Sequence, residues 1–206
     1  MHMGFLSVVL GYLIGAIPFG IILTKMVLGI DIRTVGSGAT GATNVTRALG
    51  IGYGFINAVL DVSKGIVPVF IARSFGLPLA WQAASALAAV IGHNWPIYAG
   101  FRGGKGIATS FGSLVVFNLY YLSVVPVFVI IILLTKVKSI ASITAAVLLI
   151  PVGLIAKVPT EILVHTIIVV CLAIYRHKEN IRRLREGREN KVSYRLKPDT
   201  GLSQKK

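Results

Sequence analysis

Between Ile107 and Thr135 the chain runs for 29 residues without a single charged side chain. A soluble fold cannot hide such a stretch, whereas a bilayer core of about 30 Å holds about 20 apolar residues per helix at a rise of about 1.5 Å each. Further apolar runs cover residues 5–24, 50–74, 79–98, 139–156 and 160–175. With 55% hydrophobic residues, 14% charged residues and a mean hydropathy of +0.80, the composition is that of an integral membrane protein. The expected fold class is therefore an all-α, polytopic membrane helical bundle.

In the first run, Gly11, Gly15 and Gly20 permit close helix packing, and Pro18 marks a kink. This run has no basic segment before it and is about 20 residues long, so it reads as a retained span and not a cleaved leader. The turn Gly76-Leu77-Pro78 makes the second and third runs an antiparallel hairpin. The single cysteine, Cys171, lies inside an apolar run, which excludes a disulfide framework and a cysteine metal site. No His, Cys and carboxylate cluster has metal-ligand spacing, so neither a metal nor a cofactor is expected.

A net charge of +14 would ordinarily suggest nucleic acid, but these cations are confined to loops and a tail. Anionic headgroups and anionic substrates are the expected partners; nucleic acid is not. From Arg176 onward, eleven Lys/Arg against four Asp/Glu give +7, half the total, and place the tail in the cytoplasm. Lys136 and Lys138, the stretch from Arg33 to Arg47, and the loop with Arg102 and Lys105 share that face only if residues 107–135 cross twice, turning near Asn118 to Tyr121. Seven spans result, with the N-terminus outside, in one domain over residues 1–206 that ends in a basic tail, 175–206. The two middle crossings, about 13 to 16 residues each, are short for a bilayer and must lean on neighbours or thin the membrane. An oligomeric state is not assigned by the sequence.

Two glycine-rich loops fall on this cytoplasmic face. The first reads Gly36-Ser37-Gly38-Ala39-Thr40-Gly41-Ala42-Thr43-Asn44, followed by Arg47. It matches G-x-G-x-x-G literally, but the preceding segment is a membrane helix and Asp61 lies within the next span, so a dinucleotide site is rejected. Hydroxyls and glycines leading into a helix with an arginine suit an oxyanion; a tight interfacial loop with polar caps is the alternative. The second, Gly103-Gly104-Lys105-Gly106, could cradle phosphate on its N–H groups with lysine as a mobile charge, or be a flexible basic loop. It is not a Walker A motif: Ala99 takes the first glycine position and Gly106 the hydroxyl position.

Before this loop, Trp95 and Tyr98 read as interfacial belt residues and His93 as a satisfied histidine. After the last apolar run, His177 and Asn180 stand at i and i+3, on one face if the helix continues. Ser139 and Ser142 bring hydroxyls to the same level. Asp61 and Lys64, inside the second span, read as a mutually neutralising structural pair, and Glu161 and His165 as structural or interfacial.

Together, GSGATGATNVTR, HNWPIYAGFRGGKGIAT and YRHKENIRRLREG resemble, in this order, the motifs of the bacterial acyl-phosphate:glycerol-3-phosphate acyltransferase family. The resemblance implies transfer of a fatty acyl chain from acyl phosphate to the 1-hydroxyl of glycerol 3-phosphate, releasing lysophosphatidate and phosphate. It implies a multi-pass protein of the cell (inner) membrane with its active site on the cytoplasmic face. The family's essential serine and arginine map to Ser37 and Arg47, its glycine motif to Gly103, Gly104, Lys105 and Gly106, and its His, Glu and Asn to His177, Glu179 and Asn180.

The residues themselves agree with that chemistry. An acyl phosphate already carries a good leaving group, so positioning and charge stabilisation matter more than a potent nucleophile. No G-x-S-x-G elbow is present, since Ala108 stands where Thr109-Ser110-Phe111-Gly112 would need glycine. Arg47 and Lys105 are expected to bind phosphates. Ser37 and the loop positions Gly38, Thr40, Gly41, Thr43 and Asn44, with Ser142, should complete the phosphate sites. His177 and Asn180 should orient the glycerol hydroxyl, with His177 or the departing phosphate taking its proton. Glu179 should pair with a neighbouring cation and support the fold. A transporter for a phosphorylated metabolite is the rival reading, though no internal repeat is evident; a lipid-binding scaffold would leave both loops idle.

Overall fold

The structure is a computed structural model that describes residues 1–192; over them it is all-α, with ten helices, three short 3-10 turns and no strand. The first apolar run is broken into α1 (His2–Gly15) and α2 (Phe19–Leu28). Pro18 caps α2, and its missing N–H and fixed ring are the reason the helix cannot pass straight through. Then follow α3 (Ala42–Leu49), α4 (Ile51–Ser74) and α5 (Leu79–Asn94), where Gly50, at φ +90°, provides the joint between α3 and α4. Next come α6 (Ile107–Phe117), α7 (Val124–Thr135), α8 (Lys138–Ile155) and α9 (Thr160–Arg176), and α10 (Lys178–Arg185) leaves α9 at a bend of 54°.

The uncharged run does split where the sequence suggested. Asn118 ends α6 and its side chain accepts the Tyr120 N–H, starting a 3-10 turn over Leu119–Ser123. Inside that turn Tyr121 is fully buried, its hydroxyl 2.8 Å from Thr166 of α9. The resulting helices have 11 and 12 residues, shorter than anticipated, because the turn takes five residues for itself. Three stretches are long and apolar enough to cross a membrane unaided, His2–Leu28, Ile51–Ser74 and Lys138–Ile155, and α9 with α10 is a bent fourth.

Small residues set the packing. A Cβ on Gly11 or Gly15 would strike the α5 backbone at Ser85 or Ala89, and one on Gly65 would strike the Thr109 carbonyl of α6. Lipid tails are as apolar as leucine, so helices in a bilayer associate through such close backbone approach and not through hydrophobic burial. Large apolar side chains accordingly face outward: Phe55, Phe70, Leu134 and Ile155 are more than half exposed.

The intramembrane charges pair as expected: Lys64 Nζ lies 2.9 Å from Asp61 Oδ1, with both side chains at most 5% exposed. Asn57 donates to the other Asp61 oxygen at 2.8 Å, and His93 Nδ1 sits 3.4 Å from the first. A buried charge without such partners would cost several kcal/mol or more.

Candidate functional site

Four connections meet at one end of the bundle around a cavity of about 670 Å³: the loop before α3, the loop before α6, the start of α8 and the bend after α9. The opposite turns lie at the other end, where Phe5 meets Trp81 at 5.2 Å and Tyr121 reaches α9.

In the first loop, Gly36 and Gly38 hold φ of +59° and +68°, and Ser37 between them faces the cavity. Asn44, 1% exposed, braces the loop from beneath. Its amide nitrogen donates to the carbonyls of Ile32, Val35 and Ala39 at 2.9–3.1 Å, and its oxygen accepts the Ser37 N–H at 3.1 Å. Asn44 thus braces the loop while also lining the cavity. One turn further along α3, Arg47 reaches the cavity and has no ion-pair partner among the described residues. Gly41 and Thr43 line the cavity too, whereas Gly38 and Thr40 do not; Thr40 is buried with its carbonyl against Gly20.

In the second loop, Gly103 and Lys105 line the cavity while Gly104 and Gly106 are buried behind it. Gly104 packs on the His93 ring, leaving no room for a Cβ, and Gly106 enters α6 at φ +77°. Lys105 Nζ donates to Asn180 Oδ1 at 2.5 Å. Burial lowers the Lys105 pKa to about 8; Glu189 opposes the shift, and Arg183, Arg176 and Lys138 add to it.

At the α9–α10 bend, His177 is 2% exposed and its Nδ1 lies 2.7 Å from the Ala173 carbonyl. That carbonyl can only accept, so Nδ1 carries the hydrogen and Nε2 remains an acceptor. Burial, and next the Lys105 charge, lower the His177 pKa to about 4, which keeps the ring neutral near pH 7. His177 and Asn180 both reach the cavity, but across a bend and not along one continuous helix. Asn180 accepts from Lys105 through its oxygen and gives an amide hydrogen to Glu189 at 2.6 Å.

Two glutamates near the bend have different surroundings. Glu179 does pair with Arg182 at 2.7 Å, but its side chain is 52% exposed, and such pairs contribute about 0–1 kcal/mol. Glu189, 8% exposed, instead accepts from Ser139, Asn180 and Arg183 at 2.6–2.9 Å. Burial pushes its carboxyl up, but those hydrogen bonds outweigh burial and hold it below the usual carboxylate range. Sequence reasoning missed Glu189 because one of four acids in a basic tail resembles any solvated charge.

Ser142, with Lys138 and Ser139, lines the cavity from α8. Deeper in, the walls turn apolar: Phe111 of α6, Val124 and Phe128 of α7, Leu149 of α8, and Val169 and Val170 of α9. Among the described residues no group of His, Cys, Asp and Glu has the arrangement of a metal site.

Fold and cavity define a class, a helical integral membrane protein whose cleft carries cations at its mouth and an apolar recess behind them. The chain belongs to the glycerol-3-phosphate acyltransferase family, whose sequence pattern it matches over residues 5–187. It is 45% identical to the glycerol-3-phosphate acyltransferase of Geotalea daltonii, over 87% of this chain and 92% of that one. Against its Aquifex aeolicus namesake the identity is 43%, over 89% and 96%. Two crystal structures of PlsY (YgiH), an integral membrane glycerol 3-phosphate acyltransferase, superpose closely. The glycerol 3-phosphate form has a TM-score of 0.87 at 41% identity, covering 92% of this chain and 96% of that one. The lysophosphatidic acid form has a TM-score of 0.86 at 40% identity, covering 93% and 96%.

Proposed function

We propose that the chain transfers a fatty acyl group from acyl phosphate to the 1-hydroxyl of glycerol 3-phosphate, the first step of phospholipid synthesis. The observation that carries this reading is one cavity with two chemistries: Arg47, Lys105 and Lys138 near its mouth and an apolar recess between α6, α7, α8 and α9. An amphiphile with a phosphate at one end fits both halves, and a phosphorylated metabolite cargo would leave the recess unused. Its volume of about 670 Å³ lies within the range of about 300–1,000 Å³ usual for small-molecule sites.

In this reading Arg47 and Lys105 neutralise the two phosphates, and Ser37, Thr43 and Ser142 add hydroxyl contacts. The neutral His177 accepts the glycerol hydroxyl hydrogen at Nε2 and directs the oxygen at the acyl carbon. The new ester C–O bond forms, the C–O bond to phosphate breaks, and the electron pair leaves with the phosphate. A ring with a pKa of about 4 is a weak base, so the departing phosphate takes the proton, by way of His177 or directly. Asp61 serves the fold and Asn180 places the Lys105 charge.

The topology we infer has seven spans: the broken α1–α2, then α4, α5, α6, α7, α8 and α9. It forms a single domain in the cell (inner) membrane, with the N-terminus outside and the catalytic face and C-terminus in the cytoplasm. Its support is that alternate connections gather at the cavity and that the start of α1 lies at the far end while the bend after α9 lies at the cavity, as an odd number of crossings demands. The part of the basic tail beyond residue 192 lies outside the described residues.

Purified protein given acyl phosphate and glycerol 3-phosphate should release phosphate and form lysophosphatidate in equal amounts. Release that does not depend on glycerol 3-phosphate, or uptake of glycerol 3-phosphate into vesicles without acylation, would overturn the proposal.

A further inference from the structure

We propose that Arg176 is a positioning residue that sets the anion-facing shape of the glycine loop; this rests on the acyl-transfer reading. Arg176 ends α9 and spans to the loop before α6. Its Nη2 donates to the Gly103 carbonyl and its Nε to the Gly104 carbonyl, each at 3.0 Å. On the loop's other side the Gly104 N–H donates to the His93 carbonyl at 3.1 Å. The guanidinium is steadied by the Trp95 ring, 5.3 Å away.

The direction of the free N–H groups follows from peptide geometry. In a planar trans peptide the carbonyl and the next N–H point to opposite sides. Holding the Gly103 carbonyl on Arg176 turns the Gly104 N–H to His93, as observed. Holding the Gly104 carbonyl the same way turns the Lys105 N–H away from Arg176. The N–H groups of Lys105 and Gly106 have no acceptor among the described residues. A loop rich in glycine has no intrinsic preference for this arrangement, so an outside clamp must select it.

The clamp also aligns the side chain it serves. Four residues on, Asn180 fixes the Lys105 ammonium, so one helix end places both the backbone and the side chain of the same anion site. Only a planar fork spans two consecutive carbonyls; lysine keeps the charge but is a point donor.

The variant Arg176→Lys separates fork from charge. In purified full-length protein, binding of glycerol 3-phosphate and of inorganic phosphate is measured by calorimetry, alongside KM, kcat and thermal midpoint. Arg176→Lys should weaken binding and raise KM by about tenfold, the scale of losing an organised donor, with its midpoint near wild type. Arg176→Ala should regain part of the loss when free guanidinium is added. A second variant, Trp95→Leu, leaves the charge and loosens the fork, so a smaller rise in KM is expected even if the Arg176 variants fold poorly. Wild-type affinity in Arg176→Lys, or unchanged KM in folded Trp95→Leu, would overturn the clamp. Absence of acyl transfer in the wild type would strike the functional reading instead.

Discussion

Raising the pH through the neutral range should discharge Lys105, because burial has lowered its pKa to about 8 from the ordinary 10.5. The sign is fixed by the group: the cation is present below that value and lost above it. At pH 7 about nine-tenths of the free enzyme carries the ammonium and at pH 9 about one-tenth, by the titration of a single site. If phosphate binding needs the charge, affinity falls about tenfold across that interval, equivalent to about 1.4 kcal/mol. The substrate does not titrate there, since the second phosphate pKa is about 6, and His177, at about 4, is already neutral. The assay is KM for glycerol 3-phosphate and for acyl phosphate between pH 6.5 and 9.5, for wild type and Lys105→Arg. Arginine stays charged throughout, so its profile should be flat, at a cost in absolute activity because the 2.5 Å contact with Asn180 is built for an ammonium. A flat wild-type profile, or the same rise in both proteins, would refute the reasoning.

His177→Ala should lower kcat by about 10²-fold or more with little change in KM, because the hydroxyl contact matters most in the transition state; unchanged kcat from pH 6 to 9 in folded protein would leave the phosphate as sole acceptor. Asn180→Ala should differ by raising KM as well, since it frees Lys105, which steady-state kinetics in both substrates will show. Glu189→Ala should lower the thermal midpoint, removing the acceptor of three side chains at about 1–3 kcal/mol, whereas Glu179→Ala should leave it nearly unmoved; the reverse order in a detergent melt would reinstate Glu179. With Cys171 replaced by alanine, a cysteine at position 120 should react with an impermeant thiol reagent on intact cells and one at position 136 should not, and the opposite pattern would rule out seven spans.

Much of this protein is written in consecutive residues. The length of each apolar run against bilayer thickness determines where helices form. Cations in the loops on both flanks led to the expectation of a turn near Asn118, and Asn118 does cap a 3-10 turn there. The glycine loops are visible because Gly, Ser and Lys in those orders suit an anion, whereas the 54° bend after α9 is not, since the residues around His177 read equally as a continuing helix. Tertiary structure alone decided which polar atoms are spent on the protein itself. Asn44 reads as a ligand in the sequence, and only the fold shows that its side chain also holds three carbonyls and the Ser37 N–H. The two glutamates are told apart only when α8 brings Ser139, 50 residues away in the chain, against Glu189. Hydropathy acts locally and is read one residue at a time, but a hydrogen bond depends on which atoms from distant segments the packing brings within 3 Å, and that is a property of the assembled bundle.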